Sequence, residues 1–322
     1  MKLGYAKPLY VMAFDHRASF SKDLFGATAP LSPELKAKVG DTKDLIFEGF
    51  ERAVARGAPR SSAGVLVDEQ FGSAVARKAK QAGYLLAMPV ERSGQDEFQF
   101  EYGDDFAEHI EAFDPDFSKV LVRYNPGGDR ELNLRQTRKL ALLSNWLHAH
   151  GRKFLFELLV PATPGQLERC GGPEDEDRYD REIRPALVVQ ALRELQEGAV
   201  EPDIWKIEGL ETSADCARVV EQARSGAARN EVVCIVLGRG ARFERVLKWL
   251  AAAAVVQGFV GFAVGRTEWL EALKGYVSGE RSREETIANI ADRYLRMIRA
   301  YLEDARAGTP TDASAIAVTE AP

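Results

Sequence analysis

Short runs of apolar, β-branched and aromatic residues recur along the whole chain, each followed by a stretch in which apolar positions return every three or four residues. Eight runs stand out: LYVMAFD (9–15), GVLVD (64–68), YLLAMPV (84–90), KVLVRY (119–124), KFLFELL (153–159), DIWKIE (203–208), VVCIVLG (232–238) and FVGFAVG (259–265). Helical periodicity covers 33–56, 73–82, 132–150, 181–198, 212–228, 240–257 and 283–306. Alternation of this kind requires parallel pairing, because each helix returns the chain to the same end of the sheet. Eight units predict an α/β protein built as a single (β/α)₈ TIM barrel over 1–307. An open doubly wound sheet would more often carry a G-x-G-x-x-G turn after its first strand, where this chain reads Asp15-His16-Arg17. Two segments depart from the alternation. Residues 92–118, acidic with aromatic interruptions, are expected to form a long loop with a short helix over one barrel mouth, and 308–322, rich in Ala, Thr and Pro, a disordered tail.

In such barrels active sites sit at the C-terminal ends of the strands, so polar residues there are read first for chemistry. Asp15 ends strand one, Asp68 and Glu69 strand two, and Arg123 strand four. Glu157 lies near the end of strand five, with Lys206 and Glu208 in strand six. Strand side chains alternate, so Lys206 faces away from Trp205 and Ile207, and Glu157 away from Phe154 and Phe156. Asp15, Arg123, Glu157 and Lys206 are therefore expected to converge in the barrel mouth. A desolvated lysine tends toward the neutral amine, which attacks carbonyls. Carboxylates can move protons through dehydration of the carbinolamine, and an arginine can bind an anionic substrate group. Arg17, Arg123, Glu208 and His16 are the expected substrate contacts. A buried ion-pair network without chemistry is the competing reading.

Strands seven and eight end in Gly238-Arg239-Gly240 and Gly265-Arg266, each expected to open directly into a helix. Glycines permit close backbone approach, helix N-termini offer free amides and arginine offers a forked donor, which together make a phosphate cradle. A phosphorylated carbonyl compound beside an amine points to an imine-forming aldolase.

Composition narrows the partners. The 322 residues carry 43 basic and 49 acidic side chains, a net charge of −6, with no basic stretch interleaved with aromatics, which argues against nucleic acid. No apolar run is long enough to span a bilayer and the start lacks a signal-peptide core, so a cytoplasmic protein is expected. Cys170, Cys216 and Cys234 lack metal or disulfide spacing and read as reduced structural thiols. Of the four histidines only His16 ends a strand, which argues against a metal; no cofactor is expected. Homo-oligomerisation stays open.

The strings AFDHRASF (13–20), LVDEQFG (66–72), KVLVRYNP (119–126), LFELLVP (155–161), DIWKIEGLE (203–211) and GFAVGRTEW (261–269) resemble the 2-deoxy-5-keto-gluconate 6-phosphate aldolase family of myo-inositol catabolism. That family is in turn similar to the class I tagatose 1,6-bisphosphate and sulfofructose-phosphate aldolases, which are (β/α)₈ barrels. The resemblance implies Lys206 as the Schiff-base lysine, Glu157 as an acid/base residue, Asp15 as a second carboxylate at the reacting carbons, and Gly265 with Arg266 as the phosphate site. It implies cleavage of the keto acid phosphate to dihydroxyacetone phosphate and malonate semialdehyde. Where tagatose-type enzymes carry a lysine at the end of strand four, this chain has Arg123, which suits a carboxylate-bearing substrate. An aldolase for another ketose phosphate and a non-catalytic sugar-phosphate-binding barrel remain open alternatives.

Overall fold

The computed structural model describes residues 2–172 and 174–307; the tail expected at 308–322 lies outside them. Eight parallel strands close into a barrel in sequence order: β1 (Leu9–Ala13), β2 (Ala63–Leu66), β3 (Leu85–Pro89), β4 (Phe117–Arg123), β5 (Lys153–Leu159), β6 (Ile204–Glu208), β7 (Val233–Leu237) and β8 (Phe259–Val264). All eight expected strands are present, shifted by two residues or fewer. Closure comes from β1 pairing with β8, Tyr10 opposite Phe262 and Met12 opposite Val264. At Gly261, with φ of +148°, the chain passes so close to β1 that an added Cβ would lie 1.9 Å from the Leu9 carbonyl oxygen, so the seam admits only glycine.

Strand alternation divides the apolar residues into two cores. Val11, Leu66, Phe117, Leu155, Ile204 and Ile235 fill the barrel interior, whereas Met12, Phe154, Phe156, Trp205, Ile207 and Phe262 face the helices. The longest helices, α2 (Pro33–Ala55) and α12 (Arg283–Ala307), pack together over this outer face. From α12, the Tyr294 hydroxyl donates to the Tyr10 carbonyl at 2.7 Å and the Tyr301 hydroxyl to the Phe259 carbonyl at 3.0 Å. These bonds tie the last helix to the seam strands.

The remaining helices are α1 (Ala18–Phe25), α3 (Glu69–Gln81), α4 (Phe106–Phe113), α5 (Arg130–Ala149), α6 (Pro164–Cys170), α7 (Glu176–Glu182), α8 (Arg184–Glu197), α9 (Ser213–Ala223), α10 (Phe243–Ala254) and α11 (Arg266–Val277). The short α1, α6 and α7 lie in the loops after β1 and β5; the periodicity of the sequence did not reveal them, because fewer than three turns carry too little repeat. The long loop after β3 does contain the expected short helix, α4. Ahead of it, residues 90–101 double back as a narrow antiparallel ribbon, with the Arg92 amide donating to Gln99 at 2.8 Å and the Glu101 amide to Val90 at 3.0 Å. This ribbon lies over the C-terminal mouth. No helix among the described residues is long and apolar enough to cross a membrane.

Candidate active site

Charged side chains converge in the barrel from β4, β5 and β6 and from the segments that follow β1 and β3. Glu157 on β5 pairs in register with Lys206 on β6, so their side chains leave adjacent strands on the same face. The Lys206 Nζ lies 2.9 Å from Glu157 Oε2. On β4, Lys119 shares its face with Leu121 and Arg123 and puts its Nζ 2.8 Å from Asp15 Oδ2, 2.9 Å from Glu91 Oε1 and 3.0 Å from Glu157 Oε2. All five side chains are buried. They form the floor of a cavity of about 320 Å³ whose walls include His16, Arg17, Arg123, Arg239, Gly240, Gly265 and Arg266.

The electrostatics of the cluster follow from one cation serving three anions. Burial alone would drive the Lys119 ammonium down, but the charges of Asp15, Glu157 and Glu91 outweigh it and hold Lys119 above its ordinary range. Burial likewise works against Asp15 and Glu157 as anions. The Lys119 charge, reinforced by Lys206, overcomes it and keeps both carboxyls below their usual range. At Glu91 the balance reverses. Burial dominates, Lys119 and Arg17 offset it only in part, and nearby Asp15 adds repulsion, so this carboxyl is pushed up. His16 is pushed down to about 4, chiefly by burial, with Asp15 opposing and Arg266 reinforcing, so its ring is neutral near pH 7.

The turn carrying Asp15, His16 and Arg17 is held from beneath by a second buried lysine. Lys43 of α2 donates to the Phe14 carbonyl at 2.8 Å and to the His16 carbonyl at 3.1 Å, and pairs with Asp68. Burial, opposed by Asp15 and aided by Arg17, pushes this ammonium down to about 7. Asp68 also caps α3, and Glu69 pairs with His109 at 2.9 Å, so the strand-two carboxylates are structural and do not reach the cavity. Arg17 itself is buried, donating to the Glu91 carbonyl and to Glu101 Oε2, both at 2.8 Å, which fastens the base of the ribbon to β1. Its Nε has no hydrogen-bond partner among the described residues.

Several expectations need correction. The cation that meets the carboxylates from β4 is Lys119, not Arg123; the latter lines the cavity higher up and donates to the Gln95 carbonyl at 2.9 Å, holding the ribbon tip. Glu208 does not line this cavity. It accepts from the Val160 amide at 2.8 Å and pairs with Arg239 at 3.2 Å, because at the last position of β6 the side chain turns under the loop after β5.

Arg239 lines the cavity, yet all three of its guanidinium nitrogens are engaged, by Asp180, Glu176 and Glu208. Gly238 lies outside the lining. The exit of β7 turns through left-handed conformations at Arg239 and Gly240, φ +52° and +72°, and α10 starts only at Phe243, so no helix opens directly there.

After β8 the expectation fits better. Helix α11 begins at Arg266 itself, immediately past Gly265, where an added Cβ would sit 2.4 Å from the Ala13 carbonyl oxygen. Among the described residues the buried Arg266 Nε has no hydrogen-bond partner, and the guanidinium pairs with Asp23 only at 3.8 Å. Arg266 and the start of α11 therefore meet at this end of the cavity, where helix N-termini and guanidinium groups offer N–H donors.

Two site residues escaped the sequence reading. Lys119 opens the strand as read from the sequence, where a lysine suggests solvent, but β4 starts two residues earlier and its alternation with Arg123 aims it inward. Glu91 follows β3 on the same alternation as Leu85, Ala87 and Pro89, a signal that extending the strand read from the sequence by one residue would have found.

Among solved structures, fructose-bisphosphate aldolase from Plasmodium falciparum, crystallised with TRAP and a small molecule inhibitor, is similar with a TM-score of 0.65 at 13% identity, over 92% of this chain and 91% of that one. Cgl0159 from Corynebacterium glutamicum is similar with a TM-score of 0.57 at 16% identity, over 93% and 88%. At these identities the likeness is one of fold. No curated protein matches the sequence. A family model described as an uncharacterized protein conserved in bacteria, DUF2090, matches residues 4–305, and the chain belongs to that family.

Proposed function

We propose that the protein is a class I aldolase that cleaves a phosphorylated keto acid through an imine on Lys206, with 2-deoxy-5-keto-gluconate 6-phosphate as substrate. The observation that carries this reading is the Lys206–Glu157 pair, 2.9 Å apart on the floor of a cavity walled by Arg266 and the start of α11. A buried amine within hydrogen-bond reach of a carboxylate is the pairing that imine formation needs: the carboxylate takes the ammonium proton, then returns a proton to the departing hydroxyl of the carbinolamine.

In this mechanism the phosphate is bound by Arg266 and the first turn of α11, and Lys206 attacks the C5 carbonyl. Asp15 or Glu157 accepts the proton of the C3 hydroxyl. The C3–C4 bond breaks, its electron pair moving into the iminium to give an enamine, and malonate semialdehyde departs. Protonation of the enamine carbon and hydrolysis release dihydroxyacetone phosphate. Lys119 keeps its neighbouring carboxylates ionised and therefore ready to accept protons.

The substrate carboxylate is assigned to Arg123 at the rim. Arg123→Gln is expected to raise KM for the keto acid phosphate by about 10- to 100-fold, the cost of one charge-assisted contact, with a smaller change in kcat. Steady-state rates on this substrate, on sulfofructose 1-phosphate and on tagatose 1,6-bisphosphate test the choice. Faster cleavage of either sugar phosphate by the parent protein would transfer the assignment. Lys119 favours that second reading, since it brings a lysine from β4 into the cavity, although Arg123 and not a lysine ends the strand.

A further inference from the structure

Three carboxylates surround one ammonium, and imine chemistry accounts for only two of them. Asp15 and Glu157 stand nearest Lys206 and its substrate, whereas Glu91 reaches the cluster from the ribbon after β3, on the far side of Lys119. We propose that Glu91 is the proton store of the site, holding the substrate hydroxyl's proton between carbon–carbon cleavage and protonation of the enamine. The inference rests on the imine reading above.

The need for a store follows from charge. Before cleavage the iminium nitrogen is positive. Afterwards the C–C electron pair has neutralised it, and the hydroxyl proton sits on a carboxylate until the enamine carbon takes it. Asp15 and Glu157 are poor places for it to wait, since the Lys119 and Lys206 charges hold both as anions, Glu157 by direct contact with each lysine. Glu91 differs. One oxygen contacts Lys119, while the other, Oε2, is buried and has no hydrogen-bond partner among the described residues.

The groups facing Glu91 are Lys119 from β4, Asp15 and Arg17 from the turn after β1, and Glu157 across the lysine. The Arg17 Nη2 stands 3.7 Å from Oε1, beyond hydrogen-bond range, and is engaged by the Glu91 carbonyl. Burial outweighs these charges and favours the neutral carboxyl, in contrast to Asp15 and Glu157.

The route is short. Lys119 passes one of its three protons to Glu91 Oε1 while taking the substrate's proton from Glu157 or Asp15, and it remains an ammonium throughout. The reverse transfer delivers the proton back for attachment to the enamine carbon, so charge and protons balance with no outside acid.

Dihydroxyacetone phosphate in deuterated water isolates this half of the reaction. The protein forms the imine, removes a proton from the hydroxymethyl carbon and returns a deuteron, a process followed by NMR across pH. Glu91→Gln, which cannot be protonated at the carboxylate, should still give the borohydride-reduced adduct on Lys206, while exchange slows by about 100-fold and the acidic limb of its pH profile disappears. Glu91→Asp should recover part of the rate with a displaced limb, which also covers the case in which the glutamine variant fails to fold. Exchange at the parental rate with an unchanged profile in the folded variants would overturn the proposal, as would loss of the adduct in Glu91→Gln. Absence of the adduct in the parent protein would instead overturn the imine reading.

Discussion

If the proposed imine forms on Lys206, Lys206→Met is expected to lower kcat by about 10⁴-fold or more, because it removes the amine that the proposal assigns to it while leaving the cavity intact. Lys119 stands a few ångströms away and could in principle substitute. It does not, because three carboxylates occupy its Nζ at 2.8–3.0 Å and their charges hold it as an ammonium, which has no lone pair to donate. Stability should change little, since Glu157 keeps its contact with Lys119 when Lys206 is gone. The check is a rate assay beside a thermal melt. A variant that unfolds would point to a structural ion pair, and one that retains more than a few per cent of parental turnover would remove Lys206 from the chemistry.

Lys119→Met should have the opposite profile, with stability and activity lost together. Removing the shared cation leaves Asp15, Glu91 and Glu157 buried with Lys206 as the remaining lysine among them, and a buried ion network broken on one side costs about 3–5 kcal/mol. The pH dependence has a definite sign. In the parent, the lowered Asp15 and Glu157 carboxyls contribute stability that is present above their ordinary range near pH 4 and is lost as pH falls through their folded values. In the variant nothing comparable holds them ionised, so this contribution vanishes at neutral pH while at acidic pH protonation relieves the repulsion. The destabilisation should therefore be largest at pH 7–8 and shrink toward pH 4, as measured by denaturant unfolding at several pH values. A deficit that does not vary with pH would mean that Lys119 acts through packing alone.

The barrel was legible because its logic is local. Alternation in DIWKIE places Trp205 among the helices and Lys206 inside, and the same rule works for Glu157 against Phe154 and Phe156. What the sequence could not supply was the depth of each side chain along its strand. Lys119, Leu121 and Arg123 share one face of β4, but only the packing of the mouth decides that the lysine meets the carboxylates and the arginine meets the ribbon.

Glu208 shows the same limit, since it shares the alternation of Lys206 yet is drawn under a loop by Arg239 and the Val160 amide. The Gly-Arg motif after β8 was legible because the helix starts at the arginine itself. Its counterpart after β7 was not, because the pairing of Arg239 with Asp180, Glu176 and Glu208 involves residues 30 or more positions away in sequence, beyond any local pattern.

The imine on Lys206 is tested most directly by borohydride reduction in the presence of dihydroxyacetone phosphate, followed by peptide mass spectrometry. The account predicts one covalent addition per chain, on the peptide containing Lys206, with none in Lys206→Met. An adduct on Lys119, or no adduct from a preparation that still cleaves its substrate, would contradict it.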